Sequence, residues 1–381
     1  MAVRVIFPFT CNNEYSNHPP YSMVRHLAAT DLGAELWAMR RGANAPGRFV
    51  RTPAPGKLVS LVNRLNRRVL GHRNMSLEIL EARYTAALQP GDAAWVYRGC
   101  SLDLMRTLHA RGHVVFLERV NTMDHTAKRI IDDAFARAGW PVDYSHDLVP
   151  VLELEQAQVE VADFIFSPSP AVTESLLERN IAAEKILECS YGWEPGRFNS
   201  TVHALPAIDG VTVLFVGRIG VRKGAHLLLD AWSKAGIKGR LVLLGPMDQT
   251  ILAHCSAHLR RSDVIHLPYN PNVAPVYKCA DIFALPTLEE GSPLVSYEAI
   301  GNGLPVITSA MGAGRIIRHR QEGLVVDPHD RAQLIDALRT LADSPGIRRT
   351  MGEAGRARAT EFTWDKVAQR RFELIKMALR P

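Results

Sequence analysis

The chain has no cysteine framework: Cys11, Cys100, Cys189, Cys255 and Cys279 are scattered, odd in number and never spaced C-x-x-C. That distribution argues against a disulfide scaffold and a thiolate metal site, and it fits a reducing, cytoplasmic setting. No run approaches the roughly 18 apolar residues of a membrane-spanning helix, and the apolar start over 1–9 is too short for a secretory h-region. Neither spanning nor export is expected. Internal repeats and low-complexity tracts are also missing. So are G-x-x-x-x-G-K-S/T and a proper G-x-G-x-x-G, and the acidic residue a nicotinamide-binding turn needs about 20 positions after Gly217 falls near Lys238 and Gly239. A nicotinamide dehydrogenase is therefore disfavoured.

Acidic residues are absent from 40–73, which carries Arg40, Arg41, Arg48, Arg51, Lys57, Arg64, Arg67, Arg68 and Arg73 in a chain of net charge +6. A patch of one sign attracts anionic partners. Within it Leu58, Leu61, Val62, Leu65, Val69 and Leu70 recur at helical spacing, so 57–70 reads as a basic amphipathic helix. Such a helix either lies in an anionic membrane interface or packs its apolar stripe on a sheet. Without aromatic interleaving or a recognisable module, nucleic acid is not the expected partner.

What is present suffices for two folded domains: 381 residues, 47% apolar and 22% charged. Short β-branched runs predict strands over 3–9, 93–97, 114–118 and 163–167, alternating with helices such as 101–110. After a Gly- and Pro-bearing linker over 191–210, strands follow over 211–216, 240–244, 264–267, 282–285 and 305–308, with helices over 225–234 and 294–301. A last amphipathic helix covers 364–379. Alternation of this kind predicts α/β architecture with two doubly wound, Rossmann-like parallel sheets facing a cleft. Ligands bind such folds at the carboxyl ends of the strands.

Two stretches carry chemistry. In Leu214-Phe215-Val216-Gly217-Arg218-Ile219-Gly220-Val221-Arg222-Lys223-Gly224 a strand runs into a glycine-rich basic loop before a helix, an arrangement that favours phosphate. In Leu285-Pro286-Thr287-Leu288-Glu289-Glu290-Gly291-Ser292-Pro293-Leu294-Val295-Ser296-Tyr297-Glu298 a strand breaks at Pro286 and a helix restarts, with Ser292 as the expected N-cap and Pro293 at N1. The amides of Leu294 and Val295 would then face the ligand. A carboxylate at Glu298 can accept ribose hydroxyls, as the acidic residue does in other nucleotide-binding Rossmann sites.

Taken in order, Gly217-Arg218, Lys223-Gly224, Ala280-Asp281, Glu290, Glu298-Ala299, Gly303 and Pro305-Val306 resemble the pattern of family 4 of the retaining glycosyltransferases, whose fold is GT-B. The resemblance is nearly continuous from Val211 to Thr363 and thinner before it, where Val161 to Ser169 and Tyr191-Gly192-Trp193-Glu194 carry it. Three departures stand out: Glu194 replaces the usual Asp, 12–20 lacks the family's glycine pair, and Gly314-Arg315 replaces a frequent glutamate.

The resemblance implies an acceptor-side domain over 1–190, a linker over 191–210, a donor domain over 211–363 and a terminal helix over 364–381 packing back towards the first domain. It implies a hexosyltransferase-like enzyme moving sugar from a nucleoside diphosphate donor to a glycan, lipid-linked or other acceptor in surface glycan synthesis. The alternative is a protein that binds a nucleotide sugar or a partner without turnover. Arg218 and Lys223 would hold the pyrophosphate in place of a metal, Glu290 the sugar and Glu298 the ribose, with Gly217, Gly291, Ser292, Leu294 and Val295 completing the donor site. No D-x-D signature lies near these motifs, no cofactor is expected, and UDP is favoured over GDP. A histidine from the first domain would meet the sugar, either His125 after a strand end or His18. The expected location is cytoplasmic, with 40–73 available to the inner membrane face.

Overall fold

The computed structural model describes residues 2–11, 18–30, 33–53, 75–142 and 149–380. The expected helix over 57–70, with Lys57, Arg64, Arg67 and Arg68, lies outside the described residues, as do Arg73 and loop residues 12–17.

Among the described residues thirteen strands form two parallel sheets. The first contains β1 (Val3–Cys11), β2 (Ala34–Arg41), β3 (Val50–Arg51), β4 (Ala93–Tyr97), β5 (Val115–Glu118), β6 (Phe164–Ser167) and β7 (Ile186–Glu188), in the order β3-β2-β1-β4-β5-β6-β7. The second contains β8 (Val211–Val216), β9 (Gly239–Leu244), β10 (Val264–Leu267), β11 (Ile282–Leu285), β12 (Val306–Thr308) and β13 (Gly323–Val325), in the order β10-β9-β8-β11-β12-β13. Every ladder is parallel. Five helices bear on the site: α1 (His18–Leu27), α2 (Asp124–Ala138), α3 (Ala225–Ala235), α4 (Leu294–Gly301) and α5 (Trp364–Ala378).

The central strands β4, β8 and β11 are buried at every position, as parallel strands covered on both faces must be. Four strands escaped the sequence reading. In β2 the buried Ala34, Leu36 and Ala38 alternate with half-exposed residues, β3 has two residues, β7 is a half-buried edge, and β13 is three residues opened by a glycine. Part of the basic run belongs to this edge: Arg40 and Arg41 close β2, and Arg51 meets Glu35 at 2.8 Å.

The stretch read as a linker is packed in its first part. Tyr191, Trp193 and Phe198 are buried, and Trp193 donates its backbone N–H to Phe362 O at 3.0 Å and its ring N–H to Ala359 O at 2.9 Å.

Helix α5 carries the chain back to the first sheet. Its buried stripe is Trp364, Val367, Ala368, Arg371 and Ile375, so an arginine occupies a core position. Arg371 meets Glu118 through two bonds of 2.6 and 3.0 Å, with both side chains fully buried. Tyr191 Oη and Trp95 Nε1 also donate to Glu118, at 2.8 and 3.1 Å, and the guanidinium lies 4.8 Å from the Phe166 ring centroid. A buried ion pair is held at little net gain, yet removing one partner strands the other. Glu118→Ala is therefore expected to cost about 3 to 5 kcal/mol in denaturant unfolding. Pairing Glu118→Leu with Arg371→Met should recover most of that loss, because neither charge is then left alone.

Candidate functional site

Strand order reverses between β1 and β4 in the first sheet and between β8 and β11 in the second, and ligands bind open α/β sheets at such points. The carboxyl ends of those four strands share one cavity of about 740 Å³. Phe7, Tyr97 and Asn121 are on its first-domain side, and Gly217, Lys223, Glu290 and Glu298 on its second-domain side. Another cleft, of about 810 Å³, opens between α2 and residues 309–311 and 325–329. It contains none of the expected donor-site residues, so its size is no guide to the chemistry.

The domains come into close contact at Gly291. A Cβ there would stand 1.7 Å from the carbonyl oxygen of Val120, so only glycine lets the turn before α4 meet the loop after β5. Beside it Thr122 Oγ1 donates to Glu289 Oε1 at 2.6 Å.

The loop after β8 and the turn after β11 meet through charge. Arg222 Nε donates to Glu289 Oε2 at 2.6 Å and approaches Glu290 at 3.6 Å, while Lys223 Nζ pairs directly with Glu290. Burial alone would raise the Glu290 carboxyl, but Lys223 and then Arg222 outweigh it and hold it below the ordinary range. Burial likewise works against the charge of Arg222, and Glu290 and Glu289 reverse that effect. Glu298 differs: it accepts a bond from Tyr277 Oη at 3.0 Å, and burial pushes its carboxyl up against the opposing pull of Arg197 and that bond.

Gly217, Arg218, Lys223, Glu290, Ser292, Leu294, Val295 and Glu298 all line the cavity. Arg218 is exposed and held by Asp248 at 2.6 Å. Ser292 is not the helix cap expected of it. Pro293 takes that position in an extended conformation without a side-chain cap bond, because the Ser292 hydroxyl turns inward to Tyr297 Oη at 2.7 Å.

His125 is exposed on the first turn of α2, where Arg98 grips Asp124 at 2.6 Å and the Asp124 amide donates to Glu155, so the chain leaves the cavity wall after Asn121. His18 takes the place on the wall. It is buried at the start of α1, with Nδ1 3.3 Å from Ser22 Oγ and its ring edge-on to Trp364 at 5.5 Å. Burial first, and the charge of Arg197 second, push its pKa down to about 3, so the imidazole is neutral at physiological pH. Arg197, Arg222, Glu289 and Tyr277 were not singled out for roles from the sequence. A basic pair at 222–223 matched by an acidic pair at 289–290 was the available signal for two of them.

Residues 210–344 match the family model of the Glycosyl transferases group 1. A D-inositol 3-phosphate glycosyltransferase of Xylanimonas cellulosilytica is 30% identical over 183 residues, 45% of this chain and 44% of that protein. The chain thus spans less than half the length of this curated relative. Sucrose-phosphate synthase from Thermosynechococcus elongatus aligns with 99% of this chain and 98% of its own, at TM-score 0.70 and 19% identity. HepE of Anabaena, in complex with UDP-glucose, aligns with 99% of this chain and 100% of its own, at TM-score 0.66 and 14% identity. The fold they share with this chain is GT-B.

Glu298 yields a stability test. A carboxyl whose pKa rises on folding contributes stability below its unfolded pKa and loses it as pH rises through the folded value. Glu298→Gln keeps an acceptor for Tyr277 Oη without the buried charge. In the ligand-free protein it is expected to raise the thermal midpoint at pH 7 and to leave it unchanged below pH 4. A lower midpoint at pH 7 would refute this account.

Proposed function

We propose that the chain is a retaining, metal-independent glycosyltransferase that moves a sugar from a nucleoside diphosphate donor, UDP-linked in preference to GDP-linked, to an acceptor hydroxyl. The observation that carries this reading is one cavity holding Arg222 and Lys223 against Glu290, beside the first amides of α4 and the buried Glu298. The family match over 210–344 and the UDP-glucose complex of a structural neighbour support it.

In this reading the donor pyrophosphate lies between Lys223, Arg218 and the N-terminus of α4, where fixed positive charge and unpaired amides favour an anion. Lys223 then exchanges Glu290 for phosphate, and Glu290 accepts hydroxyls of the sugar. Glu298 takes the ribose. The bond from the anomeric carbon to the β-phosphate oxygen breaks through an oxocarbenium-like state, and the acceptor oxygen bonds to that carbon from the same face. The acceptor proton passes to the departing phosphate. Preorganised cations facing the charge that develops on the leaving group supply what a metal supplies elsewhere.

Lys223→Ala should weaken UDP-sugar binding by about 2 to 5 kcal/mol, the cost of truncating a buried charged contact, and so lower transfer by about 30-fold or more. The wild type should retain full activity in excess chelator and give a product of retained configuration by NMR. Restoration by Mg²⁺ after loss in chelator, or an inverted product, would contradict the mechanism. Wild-type transfer by Lys223→Ala would contradict the site.

No helix among the described residues is long and apolar enough to cross a membrane. For a lipid-linked or phosphorylated acceptor, residues 40–73 would meet the anionic membrane face. Replacing Arg64, Arg67 and Arg68 should then reduce co-sedimentation with anionic vesicles, each charge being worth about 1 kcal/mol. Unchanged binding would return the segment to a packing role.

A further inference from the structure

We infer that Asp248 is a positioning residue of the donor site: its carboxylate leaves the helix it opens uncapped and instead holds Arg218 at the cavity for the donor pyrophosphate. This rests on the transferase reading and deepens it, because it names what orders one of the donor cations.

Asp248 stands at the N-cap of the helix Gln249–His254, with the extended backbone of a capping residue, φ −76° and ψ 147°. Aspartate is among the preferred residues there because its side chain can accept the open amides of the first turn. No such bond is made. Ser101, Ser169, Ser309 and Asp330 at the same position of other helices all accept their own first-turn amides. The Asp248 carboxylate turns away from its helix, and Oδ1 accepts Arg218 Nη1 at 2.6 Å.

The backbone fixes this carboxylate beside the basic loop. Beyond the last β8–β9 pair, Val216 with Leu244, the two chains stay laced together. Gly217 N donates to Leu244 O at 2.9 Å, Ile219 N to Pro246 O at 2.8 Å and Asp248 N to Ile219 O at 3.0 Å. Asp248 Oδ2 lies against Gly220, where a Cβ would stand 2.2 Å from it, so only glycine leaves room for the carboxylate.

Position decides what the pair does. Arg218 lines the cavity and Asp248 does not. Lys223 is the contrary case, because its partner Glu290 lines the cavity and an anion bound there has to take its place. Asp248 holds Arg218 from outside, through Nη1 alone. Among the described residues Nε and Nη2 of Arg218 make no bond, and a guanidinium can serve a second anion with them. The Arg218 side chain is 68% exposed, and an exposed ion pair adds little to stability. What the pair supplies is order: a long side chain that is already placed loses less freedom when its ligand arrives.

The test is titration calorimetry of the full chain with UDP, beside thermal midpoints of the free protein. Asp248→Ala should weaken UDP binding about 2- to 10-fold, the cost of ordering one rotamer-rich side chain, and leave the midpoint unchanged, since no cap bond is lost. Asp248→Asn keeps an oxygen acceptor for Arg218 and should recover most of the loss. Asp248→Ser can cap the helix but is shorter than aspartate and does not reach Arg218, so it should keep or raise the midpoint and bind UDP as weakly as Asp248→Ala. Should Asp248→Ala fail to fold, Asp248→Ser carries the test. Arg218→Ala should weaken UDP binding at least as much, and adding Asp248→Ala to it should cost nothing more. The inference is overturned if Asp248→Ala binds UDP as tightly as the wild type or more tightly, or if Asp248→Asn binds no better than Asp248→Ala. An equal loss from Asp248→Ala with and without Arg218 also overturns it, since the residue would then act only on the fold of the loop. A wild type that does not bind UDP, or Arg218→Ala that binds it like the wild type, overturns the donor-site reading itself, and this inference falls with it.

Discussion

Glu289 and Glu290 are adjacent carboxylates with almost no exposure, and burying such a pair requires the counter-charges that Arg222 and Lys223 of the loop after β8 bring to it. Much of the site's geometry follows from that requirement. Arg222 and Lys223 must reach across from the end of one strand to the end of its neighbour, so β8 and β11 have to be paired at the switch point of the sheet. The carbonyl oxygen of Arg222 accepts the amide of Leu288 at 2.9 Å, which fixes the same approach through the backbone. Glu289 then extends the network to Thr122 of the first domain. One charge cluster therefore sets the shape of the second-domain wall and one of the contacts between the two domains.

A second buried pair, Arg371 with Glu118, meets the same requirement with a different result. It lies beneath the first sheet, with aromatic rings around the guanidinium and every carboxylate lone pair engaged, so it has no vacancy for a ligand. The pair anchors α5, and α5 brings Trp364 against His18. The neutral histidine on the cavity wall is thus supported by a helix more than 340 positions later in the chain. The two ion pairs differ in what lies beside them: one opens on the cavity and the other is closed by packing.

This difference also accounts for what could be read in the sequence. The second-domain wall of the cavity comes largely from two short continuous stretches, 214–224 with glycines and cations and 285–298 with a glycine and carboxylates, each at local spacing. Those stretches were legible, as were the largely apolar strands β1, β4, β8 and β11. The first-domain wall gathers two or three residues from each of several strand ends and from the start of α1, and no spacing announces such a set. His18 was overshadowed by His125 because a position after a strand end looks suited to the site, yet α2 begins at once and turns His125 outward. Ser292 fitted the capping rule, but a partner five residues on, Tyr297, won its hydroxyl. β2 was hidden because its outward positions are polar enough to break the apolar run. For His125 and Ser292 the simple rule gave way to a helix start and a hydroxyl partner that spacing and capping preferences do not take into account.

In the proposed reaction the ion pairs of the free protein would act as place-holders, and that has a thermodynamic consequence. Lys223 is not an idle cation awaiting phosphate, because Glu290 already neutralises it. A pyrophosphate that takes Lys223 leaves Glu290 desolvated and short of a counter-charge, which offsets part of the gain. Sugar hydroxyls donated to Glu290 would restore its hydrogen bonding. The sugar and the pyrophosphate are therefore coupled through one carboxylate: a nucleotide alone meets the cost, while a nucleotide sugar meets the cost and relieves it. Specificity for the whole donor over its leaving group can arise in this way from a single exchange of partners, without any further contact.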